Sequence, residues 1–294
     1  MNNISYFVSG SSGFIGSRLC TYLDEMGYGC FRVARDVIQH QDTNALSESS
    51  ENKGKKVFIH LAARVHNIDC EEYSLYYQDN VELSKKALIL AKQLGCKQFI
   101  FMSTIKVFGE VQSAPYTVHT QANPQSAYGR SKLVAEQELV SLNKSLGLHL
   151  DIVRIPLVID MEAKGNIQTL VSVVKKGIPL PFGCLKAPRA YVLRNELVKR
   201  IYEISLKEYL GPDYYLHLVC QKEGISTSKL IRWIGKNLGR SVNLVPVPLS
   251  FLKILALAGD YCEKYFNKKL PFNSSMLEKI ALPMEMVPDS LKLD

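Results

Sequence analysis

The sequence predicts an α/β fold, with a doubly wound parallel sheet followed by a smaller C-terminal lobe. Three observations lead to this prediction. Apolar runs alternate with longer helical patterns through the first half of the 294-residue chain, which is typical of parallel strands joined by crossover helices. Runs such as "VFIHLAA" and "QFIFMS" are apolar without alternation, as strands covered on both faces are. Three glycines follow the first apolar run, at the place where such sheets bind ligands.

Five strands and three helices are expected in the first half of the chain. The apolar runs place strands near 4–8, 30–35, 57–61, 98–103 and 149–155. Periodic apolar positions place helices near 14–26, 72–94 and 127–146. The stretch 36–56 is polar and lacks periodicity, so we expect a surface loop there.

The character of the chain changes near residue 160, where prolines and glycines interrupt the regular alternation. Beyond that point we expect a short strand at 214–219 and helices near 194–208, 226–238 and 249–265. The chain therefore divides into a sheet domain, 1–158, and a lobe, 159–294, some segments of which return to the sheet domain. Open α/β sheets bind ligands at the carboxyl ends of their strands, so the lobe is expected to lie there and to hold the substrate.

One apolar stretch, at 244–259, reads "LVPVPLSFLKILALAG". Two prolines and Lys253 interrupt it and it is too short to span a bilayer, so no integral membrane segment is expected. We interpret it as a core or surface helix that begins near Pro248. Peripheral contact with a membrane is the alternative.

The composition excludes several classes of protein. The net charge of +8 attracts anions, but no block of five or six basic residues occurs, so no nucleic-acid partner is expected. The seven cysteines form no C-x-x-C pair and the six histidines do not cluster, so no metal is expected. An odd number of cysteines without a visible signal peptide indicates reduced thiols in a cytoplasmic protein.

The stretch "SGSSGFIGS" at 9–17 carries three glycines between a strand and a helix. Gly10 permits the tight turn, Gly13 lets the backbone approach a pyrophosphate, and Gly16 lets the helix pack closely on the strand. The helix N-terminus adds unpaired N–H groups and a partial positive charge. A simple Ser/Gly turn would share the motif, but the strand and helix around it favour a Rossmann-type dinucleotide site.

The end of the second strand, "CFRVARD", bears on which dinucleotide binds. An acid there holds the ribose hydroxyls of NAD, whereas an arginine accommodates the 2′-phosphate of NADP. The expected strand end falls on Arg35, which favours NADP because a guanidinium pairs with phosphate. If Arg35 instead points to solvent, Asp36 binds the ribose and the cofactor is NAD.

The segment "AYGRSK" places Tyr128 and Lys132 four residues apart, on one face of a helix. A nearby ammonium stabilises a phenolate, so we expect the pKa of Tyr128 to lie below its usual value of about 10 and the phenol to act as general acid and base. The preceding strand, "FIFMST", ends in Thr104. Its hydroxyl is placed to hydrogen-bond a substrate alcohol or ketone, and the alternative role is that of a helix cap or turn residue.

Together these motifs resemble those of the extended short-chain dehydrogenases/reductases. "SGSSGFIG", "FIHLAA", "STIKVFGE", "YGRSK" and "VRIPLV" occur in the order and spacing of that superfamily, and within it the chain is similar to the nucleotide-sugar epimerase/dehydratase family. The resemblance covers nearly the whole chain. It implies a Rossmann domain, a lobe for a UDP-sugar, a homodimer, and hydride exchange with NAD or NADP. The catalytic set that it implies is Thr104, Tyr128 and Lys132.

The resemblance also implies binding roles for individual residues. Besides the three glycines, Arg35, Tyr128 and Lys132, the cofactor is expected to contact Phe14, Ile15, Leu61, Ala62, Ala63 and Asn80. Besides Thr104, the substrate is expected to contact Lys106, Asn166, Phe182 and Arg189. In the family, the amide matched by Asn166 and the arginine matched by Arg189 contact the diphosphate, and the loop that contains Phe182 packs on uracil.

The two residues after Thr104 narrow the reaction. The 4,6-dehydratases of the family carry Asp-Glu there for their elimination step, whereas this chain has Ile105 and Lys106. We therefore expect hydride transfer at C4 of a UDP-hexose or UDP-N-acetylhexosamine, as in a 4-epimerase. The alternatives are an NADPH-dependent 4-reductase of UDP-4-keto-6-deoxy sugars and a non-catalytic NADP-binding regulatory protein.

Overall fold

A computed structural model describes residues 4–49, 54–65, 72–110, 114–163, 165–208, 211, 213–266 and 272–293. Its strands are β1 Ile4–Ser9, β2 Gly29–Val33, β3 Lys55–His60, β4 Gln98–Thr104, β5 His149–Ile155, β6 Leu157–Ile159, β7 Tyr191–Leu193, β8 Tyr214–Leu218 and β9 Asp289–Leu293. Seven of them form one sheet with the order β2-β1-β3-β4-β5-β8-β9. All neighbours in it are parallel except β8 and β9, so the predicted doubly wound α/β fold is confirmed.

The helices in the described ranges are α1 Phe14–Glu25, α2 Arg35–His40, α3 Tyr73–Tyr77, α4 Leu83–Gln93, α5 Ala127–Leu146, α6 Asn166–Lys175, α7 Arg194–Leu206, α8 Thr227–Asn237, α9 Leu249–Phe266 and α10 Ser274–Ala281. A π-helical turn, Gln78–Glu82, joins α3 to α4. Short 3₁₀ turns lie at Asn44–Ser49 and Ile105–Val107. Among the described segments, no helix has both the length and the apolar character needed to cross a membrane.

The central strands β4 and β5 are buried along their whole length. Because successive side chains of a strand point to opposite faces, each strand contributes to two apolar layers. Phe99 and Phe101 belong to the layer that contains α4 and α5. Ile100 and Met102 belong to the layer that contains α1 and α7. Helices on both faces are therefore required to cover the sheet.

The smaller lobe follows β5. It contains the parallel pair β6–β7 and the helices α6, α8, α9 and α10, which surround a third apolar cluster. Between these elements the chain returns to the sheet domain, where α7 packs against α1 and β8 pairs with β5. The boundary at 158 and 159 stays a prediction.

Three expectations about local structure were wrong in part. The stretch 36–56 is not all loop, because α2 and the 3₁₀ turn occupy much of it; elements of six residues are too short for periodicity to reveal. Residues 50–53 lie outside the described residues. Strand β2 ends at Val33, and Arg35 begins a helix instead of ending the strand. The helical stretch 72–94 is interrupted by the π-helical turn, which adds one residue per turn locally.

Candidate active site

The glycine loop after β1 requires glycine at two positions and is open at the third. Gly10 has a φ of +69°, and a Cβ there would lie 2.7 Å from the backbone nitrogen of Ala62. A Cβ on Gly16 would collide with the carbonyl oxygen of Gly10. At Gly13 an added Cβ would meet only that same oxygen, at 3.1 Å, so the outer side of the loop is open. Helix α1 starts without a side-chain cap, and the loop therefore fits a pyrophosphate.

The residues after Gly13 lie where α1 meets both parts of the protein. Ile15 packs into the apolar layer under α1, whereas Phe14 belongs to the cluster of the lobe. The guanidinium of Arg194 stacks on the Phe14 ring, with its Cζ 4.8 Å from the ring centroid. The start of α1 is thus anchored to both sides of the cleft in which a dinucleotide would lie.

Arg35, the residue expected to select the cofactor, is 51% exposed at the start of α2. Its guanidinium forms an ion pair with the buried carboxylate of Asp79, which lies in the π-helical turn. Arg64 contacts the other oxygen of this carboxylate through Nε, at 2.7 Å. Two guanidiniums thus share one carboxylate, so these three side chains together carry one net positive charge, beside the exposed Asp36. The sequence had not pointed to Asp79 or Arg64.

Asn80 is completely buried and its amide is used within the protein. Its Oδ1 accepts a hydrogen bond from the Arg64 N–H at 2.8 Å, and its Nδ2 donates to the Arg64 carbonyl at 3.0 Å and to Ser131 Oγ at 2.9 Å. These bonds tie the segment 61–65 to α5. That segment includes Leu61, Ala62 and Ala63, so Asn80 holds the expected cofactor wall in place beside the glycine loop.

His60, at the end of β3, is a structural residue. Ser84 Oγ donates to the Asn80 carbonyl at 2.6 Å, so it accepts from His60 Nε2, 3.1 Å away, and His60 Nδ1 accepts from Ser9 Oγ at 2.7 Å. Burial and, to a smaller extent, the charge of Lys132 lower the pKa of His60 to about 3. The imidazole is therefore neutral, and it links the ends of β1 and β3 to the start of α4.

Thr104 and Tyr128 meet at the carboxyl end of β4. Tyr128 is the second residue of α5, whose first turn is capped by Ser126 Oγ, 3.1 Å from the Gly129 N–H. The Thr104 hydroxyl lies close enough to the Tyr128 phenol to lower the pKa of that phenol. It also accepts from the Lys106 N–H at 3.3 Å, so the cap role and the contact with Tyr128 occur together.

The pKa of Tyr128 moves in the direction opposite to the expected one. Burial is the main cause that raises it, to about 12; the Thr104 hydroxyl offsets part of this rise, and Tyr76, whose ring centroid is 6.3 Å away, adds to it. Lys132 does not offset the effect of burial, because its Nζ lies 3.8 Å from the centroid of the Phe101 ring. At neutral pH the phenol is therefore protonated and is able to donate a proton.

Lys132 is 1% exposed beneath the active-site surface. Its pKa is lowered to about 7 because the effect of burial exceeds the opposing effect of the Glu136 carboxylate. Tyr128, Lys132 and Glu136 are spaced by four residues, so they share one face of α5. The ammonium lies over the Phe101 ring, and with a pKa of about 7 both its charged and its neutral forms are populated at neutral pH.

A buried ionic network that the sequence had not revealed lies below Lys132. Glu136 accepts a hydrogen bond from Ser103 Oγ and two from Arg154, from Nε at 3.1 Å and from Nη2 at 2.6 Å. Arg154 also stacks on Phe108, with its Cζ 4.7 Å from the ring centroid. The network joins α5 to β4 and β5. The spacing of Tyr128, Lys132 and Glu136 by four residues is the one sequence signal that could have indicated a carboxylate on this face of α5.

Three cations lie together beyond Thr104, where the lobe meets the sheet. Lys106 Nζ is 3.5 Å from Glu110, and the pKa values of Lys106 and Arg189 are both lowered by burial. Lys279 and Arg189 lower the pKa of Lys106 further by charge repulsion. Arg189 donates to the backbone carbonyls of Lys279 and Leu282. Three cations facing one carboxylate suit a diphosphate.

The other two expected substrate residues occupy different settings. Asn166 is exposed as the first residue of α6, directly after Gly165 with a φ of +73°. Phe182 is 7% exposed and packs in the lobe, with its ring centroid 6.0 Å from that of Phe272. The Asn166 amide is accessible to a ligand, whereas Phe182 supports the wall of the lobe from inside.

Comparison with known proteins gives a consistent result. The family model described as "NAD dependent epimerase/dehydratase family" matches residues 6–207. The chain is 30% identical over 284 residues to a UDP-glucose 4-epimerase of Vibrio cholerae, covering 90% of this chain and 81% of that protein. It is 24% identical over 292 residues to an N-acetyl-α-D-glucosaminyl-diphospho-ditrans,octacis-undecaprenol 4-epimerase of Escherichia coli O157:H7, covering 94% and 85%.

Among solved structures, the fold is similar to a UDP-glucose 4-epimerase of Thermotoga maritima solved with UDP-glucose. The TM-score is 0.66 and the sequence identity is 20%, and the match covers 94% of this chain and 97% of that chain.

Proposed function

The chain belongs to the NAD-dependent epimerase/dehydratase family, and we propose that it is a 4-epimerase acting at C4 of a UDP-hexose or UDP-N-acetylhexosamine. The observation that carries the proposal is the contact between Thr104 and Tyr128 at the same sheet edge as the glycine loop. Strands β1 and β4 are two positions apart, which is roughly 10 Å. A dinucleotide that starts at Gly13 therefore reaches Tyr128 along this edge.

When bound, a nicotinamide dinucleotide supplies the hydride acceptor and donor for C4 of the sugar. The loop at Gly10–Gly16 and the wall at Leu61–Ala63 fit it. Tyr128 exchanges the proton of the C4 hydroxyl, and Thr104 fixes the direction of the phenol. Burial opposes a phenolate, so the oxidising direction needs positive charge beside Tyr128. Lys132 supplies it when its side chain turns from the Phe101 ring towards the phenol.

The diphosphate of the substrate is assigned to the cation cluster of Lys106, Arg189 and Lys279. Burial lowers the pKa of the first two, so each is stabilised by an anionic ligand. Asn166 adds an exposed amide at the start of α6. With the diphosphate held there, the sugar points towards Thr104, because Lys106 follows that residue by only two positions.

A 4-ketoreductase that consumes NADPH is the second candidate. Arg35 favours it, because a guanidinium beyond β2 suits a 2′-phosphate, although Asp79 neutralises part of its charge. A regulatory protein that only binds NADP is disfavoured, because the chain retains Thr104, Tyr128 and Lys132, the three residues that the reaction requires. We further propose that the protein acts in the cytoplasm as a homodimer.

The experiment that tests these candidates identifies the cofactor first and the turnover second. The purified protein is denatured, and the released nucleotides are identified by mass spectrometry. Retained NAD together with C4 interconversion of a UDP-sugar, without added cofactor, supports the epimerase. Exchangeable NADPH that is consumed on a UDP-4-keto-6-deoxy sugar supports the reductase. Binding of a dinucleotide without turnover of either kind of sugar would contradict both.

A further inference from the structure

Helix α9 packs on the rest of the protein with only one of its faces. Leu252 and Ala256 are completely buried in the apolar cluster of the lobe. Gly259 lies against the backbone carbonyl of Phe272, just before α10. These positions are four and three residues apart, so they form a single covered face. The Ser274 N–H donates to Asp260 at 3.2 Å and fixes the corner between α9 and α10.

The opposite face of α9 is apolar and exposed. Its large side chains are between 43% and 62% exposed, namely Phe251, Ile254, Leu255, Leu257, Tyr261 and Tyr265. A helix that is apolar on all sides is normally buried on all sides. The three aromatic rings alone, each worth roughly 150–250 Å² when covered, make this stripe comparable to the largest patch on a typical monomer. Something outside the described chain is therefore expected to cover it.

The sequence around α9 is strongly basic, although α9 itself carries two lysines and two acidic residues. Between Lys229 and Lys269 there are eight Lys or Arg residues against two Asp or Glu residues, so this part of the sequence holds six of the eight net positive charges. Helix α8 shares the apolar cluster of the lobe with α9. It exposes Lys229, Arg232 and Lys236 along its outer side. An apolar stripe next to positive charge is complementary to the surface of a bilayer that has anionic headgroups and an apolar interior.

We propose that α9 lies in the surface of a membrane that contains anionic phospholipid. Its apolar stripe inserts among the acyl chains, and the exposed basic residues of α8, together with Lys253, lie at the headgroups. The helix is 18 residues, or about 27 Å, long. Because only one side of the helix is apolar and exposed, the contact is with one leaflet. This goes beyond the reaction at C4, because no side chain of the stripe belongs to the candidate active site.

The side chains on and beside the stripe favour lipid over a protein partner. Protein interfaces are depleted in lysine at their centres, whereas the exposed Lys253 lies within the same stretch of helix. A lysine at the edge of an apolar face can extend its ammonium to the level of the phosphates. Tyr261 and Tyr265, with ring centroids 4.3 Å apart, are amphipathic aromatics of the kind enriched where a bilayer meets water.

Vesicle sedimentation of the full chain tests the proposal. The vesicles contain phosphatidylcholine alone or phosphatidylcholine with phosphatidylglycerol. The variant Phe251→Ser/Ile254→Ser removes two exposed side chains of the stripe. The matched control, Met26→Ser/Leu206→Ser, removes two exposed side chains of the sheet domain, which are 50% and 38% exposed. Melting temperature and UDP-sugar turnover confirm that each variant is folded.

The wild type and the control variant should bind the phosphatidylglycerol vesicles in preference to the neutral ones, and less tightly as salt is added. The Phe251→Ser/Ile254→Ser variant should bind at least about tenfold more weakly. Its oligomeric state, measured by light scattering, should equal that of the wild type. Absence of vesicle binding by the wild type, or equal binding by the variant, would overturn the proposal. A change of oligomeric state in the variant would overturn it as well, because the stripe would then contact a second copy of the chain.

Discussion

Arg35 and Asp79 form an ion pair between the start of α2 and the π-helical turn before α4. The carboxylate is 8% exposed and also binds Arg64, so both of its oxygens are in use. The arginine expected to select the cofactor is therefore accompanied by a counter-ion of its own. A ligand phosphate at this place competes with Asp79 for two guanidiniums that the carboxylate already orients.

The choice between NADP and NAD depends on this pair. Asp79→Asn keeps a polar side chain but removes the competing charge. It should therefore raise the affinity for NADP about tenfold and leave the affinity for NAD nearly unchanged. Arg35→Ala should weaken NADP by a similar factor, again without affecting NAD. Titration of each purified variant with both cofactors, followed by nicotinamide fluorescence or calorimetry, measures the two effects. Equal changes for NAD and NADP would show that the pair does not contact the 2′ position.

Gly13 tests the pyrophosphate cradle without straining the backbone. Its φ of −74° and ψ of 172° are normal for alanine, and an added Cβ would meet only the Gly10 oxygen at 3.1 Å. Gly13→Ala should therefore keep the melting temperature within a few degrees but weaken cofactor binding about 10- to 100-fold, because the methyl group displaces the phosphate. Ser12→Ala, on an exposed neighbour, is the control. Unchanged cofactor binding in Gly13→Ala would place the dinucleotide elsewhere.

Glu136 and Glu138 form a matched pair of carboxylates on α5. Glu136→Gln leaves the buried Arg154 without its counter-ion and should destabilise the protein by about 3–5 kcal/mol. Glu138, 44% exposed and 3.4 Å from Lys85, forms a surface pair, and Glu138→Gln should cost less than about 1 kcal/mol. Chemical denaturation of the two variants measures the difference in the free energy of unfolding. Similar losses in both would contradict a buried network.

The pKa of Lys132 makes stability depend on pH in a definite direction. It is about 7 in the folded protein and about 10.5 in the unfolded chain, so between these values only the unfolded chain binds the proton. Burying the charged Lys132 therefore lowers the free energy of unfolding by its full amount below pH 7, and by less and less as the pH rises towards 10.5. Lys132→Met should stabilise the protein relative to the wild type near pH 7, and this gain should shrink by a few kcal/mol near pH 10. A difference in unfolding free energy that does not vary with pH would contradict the lowered pKa.

Much of the scaffold could be predicted because it follows local patterns. The bounds of α5 and β5 agree with the periodicity and the apolar run, since long periodic segments and uninterrupted buried strands are strong signals. The glycine loop could be recognised because the tight turn between β1 and α1 requires glycine, and the residues that form this turn are adjacent in the sequence. Helix α2 and the antiparallel strand β9 were missed, because both are short and take their stability from contacts with distant segments.

The chemistry of the site was harder to predict than its location. Asp79 is 44 residues from Arg35, and Glu136 is 18 residues from Arg154, and a sequence does not say which distant charges meet. The predicted direction of the pKa shift of Tyr128 was wrong for a related reason. A spacing of four residues shows that Lys132 is near, but the direction of its Nζ towards Phe101 depends on the packing of β4.

The most direct test of the account measures C4 interconversion of UDP-sugars by the wild type and by Tyr128→Phe. UDP-glucose, UDP-galactose and their N-acetylated counterparts are each incubated with the protein, and the products are separated by anion-exchange chromatography. The wild type should convert at least one pair in both directions. Tyr128→Phe should retain the cofactor and lose activity by about 10²- to 10⁴-fold, because the phenolic hydroxyl carries the proton. Activity that survives in Tyr128→Phe would contradict the assignment of this residue as the acid and base.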